Sequence, residues 1–160
     1  MYSPIQRLSS YIFGADWSRA RSLANVDERF IFVHIPKNAG SSVAETLEMD
    51  MTWHYTAQAY RKMLGRPAYH WRFSFAFVRN PWDRFLSLYR YARLDESRYH
   101  SALDPESAPY GKHDDYDLLQ GASVEDCARY LQEGRLRHDD FINHWRPQSD
   151  WLTDAKGNVI

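Results

Sequence analysis

Cysteine is nearly absent from this 160-residue chain. Only Cys127 is present, so no intrachain disulfide can form and a reducing compartment is the natural setting. Long apolar runs are missing as well, and nothing approaches the ~18 residues of a membrane span. The first residues, MYSPIQRLSSYIFGADW, lack the charged start and apolar block of a signal peptide. A soluble, cytoplasmic protein is therefore expected. Neither sign of charge is in excess. Lys and Arg total 20 against 21 Asp and Glu, a net charge of −1, which argues against a broad nucleic-acid-binding surface. There is no HExxH, no paired CxxC and no carboxylate cluster at ligand spacing, so no metal site is expected. Repeats and low-complexity tracts are also missing. What the chain has in quantity is aromatic side chains, 16% of its residues, with six Trp and 11 Tyr. Most belong in a core, and the remainder suit a ring-lined cleft. The length fits a single domain, 1–160, with one core.

The most informative stretch is Arg29–Val43, RFIFVHIPKNAGSSV. Ile31, Phe32, Val33 and Ile35 form the apolar run of a buried parallel strand. Pro36 ends it, having no N–H to give a neighbouring strand. Lys37, Asn38, Ala39 and Gly40 make the turn. Ser41 and Ser42 are N-cap candidates for a helix from about Ser42 to Glu48. Such a corner turns several backbone N–H groups and the positive end of a helix dipole on one spot, an anion site that phosphate commonly fills. Lys37 adds a full charge and the serines add hydroxyls. On these residues alone, an ordinary β–α turn with an incidental lysine is the weaker alternative. The loop is not a Walker A motif, because its lysine precedes the glycine instead of following one.

Residues 1–28 read as one or two short helices. MTWHY, within Met49–Tyr55, reads as a short strand that ends near His54. If that strand shares the sheet of Ile31–Ile35, His54 opens onto the anion site, since ligands gather at strand carboxyl ends. Thr56 caps a helix AQAYRKML that Gly65 and Pro67 close. Arg72–Arg79, RFSFAFVR, is a second strand, broken by Asn80-Pro81. Pro81 suits the first turn of the next helix, whose apolar stripe is Trp82, Phe85, Leu88, Tyr89 and Ala92. Arg79 stands at the strand end and Ser87 two turns into the helix, and an arginine there can grip a phosphate with two hydrogen bonds. Residues 93–122 are acidic and polar and read as a long loop. Ser123 caps VEDCARYLQEG, which places Cys127 on an apolar stripe as a buried small residue, not a nucleophile. TDAKGNVI reads as a closing strand–turn–strand.

HIPKNAGSS resembles the 5′-phosphosulfate loop of the PAPS-dependent sulfotransferases, most closely their carbohydrate-modifying (Golgi-type, family 2) branch. RNPWDRFLSLYRY resembles the same family's 3′-phosphate motif, and HWRPQ resembles, more loosely, a recurrent downstream segment. Two motifs in the right order are far more specific than either alone. The resemblance implies an α/β, P-loop-kinase-like three-layer fold, with a central parallel sheet and helices on both faces. It implies PAPS as donor, PAP as product, and a hydroxyl-bearing acceptor such as a sugar or glycan. Carried over residue by residue, it makes Lys37, Asn38, Ala39, Gly40, Ser41 and Ser42 the 5′ contacts and Arg79 and Ser87 the 3′-phosphate contacts. Lys37 would stabilise the leaving phosphate and His54 would act as general base, with His34 and His70 as weaker candidates. Trp53, Tyr55, Trp71, Trp145 and Trp151 include candidates for stacking on sugar rings. Family members usually continue into a further nucleotide-binding segment, so the C-terminal part of the site is expected to be missing. Two alternatives stand beside the enzyme: a degenerate, truncated PAP(S)-binding domain without catalysis, and a P-loop kinase, which the missing Gly-Lys-Ser/Thr disfavours.

Overall fold

The computed structural model describes residues 25–49, 53–97, 100–102, 104–106, 110–136 and 144–160. Of the stretch 1–28 expected to be helical, 1–24 lies outside these residues, and 25–28 is not helical, Asn25 and Val26 occupying a turn and a bridge to Ile31. In chain order the elements are β1 (Phe30–Phe32), α1 (Gly40–Thr46), α2 (Ala57–Leu64), α3 (Arg66–His70), β2 (Phe73–Phe75), α4 (Pro81–Ala92), a 3-10 turn (His100–Ala102), α5 (Tyr116–Leu119), α6 (Val124–Gln132) and α7 (Gln148–Leu152). The fold is a mixture of helices and a small parallel sheet. The chain divides into two compact units, Met1–Val78 with Pro147–Ile160, and Arg79–Arg146. No helix among the described residues is long and apolar enough to cross a membrane.

In the first unit, β1 and β2 run parallel with Phe30 opposite Phe73, Ile31 opposite Ser74 and Phe32 opposite Phe75. Both strands are shorter than their apolar runs. Beyond the ladder Val33 N–H still donates to Phe75 O at 2.8 Å, and Val33 and Ile35 stay buried. Alternation along a strand separates two faces. Ile31, Val33 and Ile35 pack with Ala57, Tyr60, Tyr69 and Trp151. Phe32 stacks on Phe75, centroids 5.3 Å apart, and Phe30 tilts against the same ring at 5.7 Å.

The expected MTWHY strand does not form in its described part, Trp53–Tyr55. The buried Asn25 side chain takes a strand's place. Trp53 N–H donates to its Oδ1 at 2.5 Å, and its Nδ2 donates to Trp53 O at 2.8 Å and Phe32 O at 3.1 Å. An amide side chain carries both donor and acceptor, so it can stand in for a neighbouring backbone. α2 begins as its sequence implies, with Thr56 Oγ1 accepting from Ala59 N–H at 3.1 Å, and Gly65 ends it at φ 77°. Pro67 is not a stop. It sits in the first turn of α3, where an N–H would have no helical partner in any case. The C-terminal residues form a turn, bridged by Thr153 and Val159 and closed by Asp154 Oδ1, which accepts from Lys156 N–H at 2.8 Å and Asn158 N–H at 3.0 Å.

In the second unit, Leu88, Tyr89 and Ala92 of α4 pack with Leu119, Cys127, Leu136 and Trp145. Trp82, expected on that stripe, is 77% exposed, and Arg84 is buried instead. The guanidinium is tolerated because it donates to His144 O at 2.7 Å and Arg146 O at 3.1 Å. Burial pulls its pKa down to about 10. The stretch 93–122 is more than a solvated loop, since Ser97, His100, His113, Asp115, Tyr116 and Leu119 are buried. Asp115 accepts from Trp145 Nε1–H at 2.8 Å, which gives the buried indole its partner. α6 carries the expected cap as a full reciprocal box between Ser123 and Asp126. Cys127 is fully buried, and burial pushes its thiol up to about 11, so it is not poised as a nucleophile.

Candidate functional site

The loop from Pro36 to Gly40 has an unusual backbone. Lys37 lies at φ 66° and Ala39 at φ 61°, with Asn38 between them outside the positive range. Alternating signs of φ curl successive N–H groups toward one concavity, the arrangement of an anion-binding nest. A non-glycine residue in the left-handed region costs roughly 1–2 kcal/mol, so the surroundings must hold both in place. Asn38 does much of this. It is buried, its N–H closes a turn onto Ile35 O at 3.3 Å, and its Nδ2 donates to Phe77 O at 2.8 Å and Gln148 Oε1 at 2.6 Å. Its donors are thus committed to the protein interior.

α1 starts at Gly40, earlier than its sequence suggests, and the serines do not cap it. Ala39 is the N-cap residue and offers no side-chain hydrogen bond. Ser41 and Ser42 are exposed in the first turn. The first backbone bond of the helix joins Val43 N–H to Ala39 O at 3.1 Å. The N–H groups of Ala39, Gly40, Ser41 and Ser42 therefore have no partner among the described residues, as is usual for a helix start without a cap. Lys37, half-buried, belongs to the same loop.

Beneath the loop lies His34. Its ring is buried, stacked on Phe32 at 5.4 Å and 14°. A methyl group added to Gly40 would fall 1.7 Å from His34 Nε2, so only glycine fits above the ring. Burial, and then the neighbouring His54, push the His34 pKa down to about 3, so it is neutral at physiological pH. His54 is half-buried, with its ring centroid 4.1 Å from that of His34 and 6.3 Å from that of Trp151, to which it is T-shaped. His54 Nδ1 lies 2.9 Å from His34 O. A carbonyl only accepts, so Nδ1 carries the hydrogen and Nε2 is the lone-pair nitrogen of the neutral ring. That tautomer is the one a general base needs.

The structure thus brings together Gly40, His34 and His54 in the first unit. His70 is exposed at the end of α3 and turned edge-on to Tyr69. Arg79 and Ser87 belong to the second unit, Arg79 exposed just before the cap of α4 and Ser87 half-buried two turns along it. Of the candidate stacking rings, Trp145 and Trp151 are core residues, whereas Trp53 and Trp71 are exposed. Asn25, Arg84 and Gln148 support the site or its frame without having been singled out by sequence. For Gln148 a signal existed, because the HWRPQ segment ends on it.

Among known proteins, no curated sequence and no solved structure matches this chain. The family model described as the sulfotransferase family matches it over residues 21–158, which takes in both strand–helix corners and the HWRPQ segment. The chain belongs to the sulfotransferase family.

Proposed function

We propose that the protein transfers a sulfuryl group from PAPS to a hydroxyl of an acceptor, a carbohydrate by resemblance, by in-line displacement on a P-loop-kinase-like three-layer framework. The observation that carries this reading is the Lys37–Ser42 loop, whose left-handed Lys37 and Ala39 lead into a helix start with N–H groups that have no partner among the described residues. Those donors suit a 5′ anion. PAPS, when bound, supplies the sulfuryl group and a leaving phosphate.

The rest is done by side chains and backbone of this chain. The N–H groups of Ala39 to Ser42 hold the 5′ end, while Asn38 braces the loop from inside. Lys37 neutralises charge growing on the leaving oxygen, where a fixed donor is worth most. His54 Nε2 takes the proton of the acceptor hydroxyl as its oxygen bonds to sulfur. His34 O then steadies the resulting imidazolium through Nδ1–H. Arg79 and Ser87 hold the 3′-phosphate, a role that rests on the family motif. Of the candidate stacking rings, exposed Trp53 and Trp71 are the ones that would meet a sugar ring.

The test is a turnover assay with labelled PAPS across a panel of sugar acceptors. Lys37→Ala should lose turnover ~10²-fold or more, the scale of removing one transition-state donor. His54→Ala should abolish turnover while PAP still binds. Near-normal turnover in either variant would refute the role assigned to that residue.

A further inference from the structure

We propose that Gln148 is a positioning residue for the donor loop, acting through Asn38. The proposal rests on the sulfotransferase reading above. Asn38 is the loop residue between left-handed Lys37 and Ala39, and it is only 4% exposed. Phe77 O and Gln148 Oε1 are both acceptors, at 2.8 and 2.6 Å, so the Asn38 amide has one workable orientation and is held from two sides. Phe77 O is backbone, so Gln148 is the partner that a substitution can remove without touching the loop.

Gln148 is the first residue of α7, and Pro147 before it fixes where the helix begins. Three residues on, Trp151 is buried against Ile31, Val33 and Ile35, its ring T-shaped to that of His54. One turn of helix therefore grips the donor loop at one end and packs against the candidate base at the other. The anchoring of Trp151 in the core makes Gln148 a fixed strut instead of a swinging side chain. Without it, one buried Asn38 N–H is stranded and the loop relaxes from its strained form.

The experiment uses the full chain with Gln148→Ala, Gln148→Glu, Asn38→Ala and the Gln148→Ala/Asn38→Ala double variant. Hydrogen exchange of the Asn38 and Val43 amides, which are bonded to Ile35 O and Ala39 O, reads the loop directly, without ligand. Titrations with PAP and with adenosine 3′-phosphate read its use. In Gln148→Ala the Asn38 and Val43 amides should exchange faster, and PAP affinity should fall about tenfold for one lost bond with a stranded donor. Affinity for adenosine 3′-phosphate, which has no 5′ group, should not move. Gln148→Glu still presents an oxygen to Asn38 and should keep exchange at the wild-type rate. The double variant should be no worse than Asn38→Ala, since both act on one interaction. Unchanged exchange in Gln148→Ala, additive losses, or equal loss for both nucleotides would overturn the proposal. If wild-type protein bound no PAP, the PAPS reading would fail, and loop exchange alone would still decide the role of Gln148.

Discussion

The two strand-to-helix corners of this chain are built in opposite ways. At the second, Asn80 caps α4 twice, accepting from Trp82 N–H at 3.0 Å and Asp83 N–H at 3.4 Å, and Pro81 removes a further donor. That helix start is satisfied and relaxed. At the first, α1 runs only from Gly40 to Thr46, has no side-chain cap, and follows two left-handed non-glycine residues. That start is strained, and its N–H groups from Ala39 to Ser42 have no partner among the described residues. A corner that satisfies itself is a structural joint and must use side chains such as Arg79 for any ligand. One that does not can offer backbone. The contrast separates the joint from the site more sharply than either sequence motif does.

The heaviest blow to that contrast should come from Gly40→Ala. The added methyl meets the buried His34 ring, and ~3 kcal/mol of stability should be lost, the upper end of overpacking in a core. A urea titration measures it, and His34→Ala in the same chain should recover most of the loss. If Gly40→Ala is neutral, the loop is not held over His34 as described.

Acid should strike next. The folded pKa of His34, about 3, lies below its ordinary 6.5, so the unfolded chain binds the proton first. The stability contributed by neutral His34 is complete above pH 6.5 and is lost as pH falls toward 3. At pH 5 the loss should be ~2 kcal/mol. Unfolding free energies at pH 7 and 5, compared between wild type and His34→Gln, give the difference in slope. Equal slopes would mean that His34 is not buried neutral.

The gentlest pair of changes sharpens the contrast itself. Asn80→Ala should cost ~1 kcal/mol, as helix caps do, and should leave the Asn38 and Val43 amides unaffected in hydrogen exchange. Ala39→Gly should gain ~0.5 kcal/mol by relieving a left-handed alanine, less the entropy glycine adds to the unfolded chain. Thermal unfolding resolves both. Opposite signs are the expectation, and a loss in Ala39→Gly would contradict the strain assigned to the first corner.

What could be read from sequence was local. Thr56 and the Ser123–Asp126 box cap the helices they precede, Pro81 opens α4, and Phe32 and Phe75 lie in parallel strands. What could not be read depends on distant partners. Ser41 and Ser42 have cap chemistry, but the start of α1 is set by the left-handed Ala39 and by Gly40 seated over His34. Arg84 looks like a surface cation until two carbonyls some 60 residues away receive it. Trp53 looks like strand until Asn25, 28 residues earlier, takes its backbone. The site divides the same way. Its loop was legible as a motif, and the tautomer of His54 and the brace on Asn38 were not, because they are fixed by hydrogen bonds to residues distant in sequence.

The most direct test is calorimetric titration of the purified chain with PAP in the absence of metal, beside ADP and ATP with Mg²⁺. Tight PAP binding with little response to ADP is the predicted result, since a loop of backbone N–H groups and Lys37 needs no metal to hold a 5′ anion. Failure to bind PAP, or a preference for ATP with Mg²⁺, would contradict the claim that this corner is a PAPS donor site.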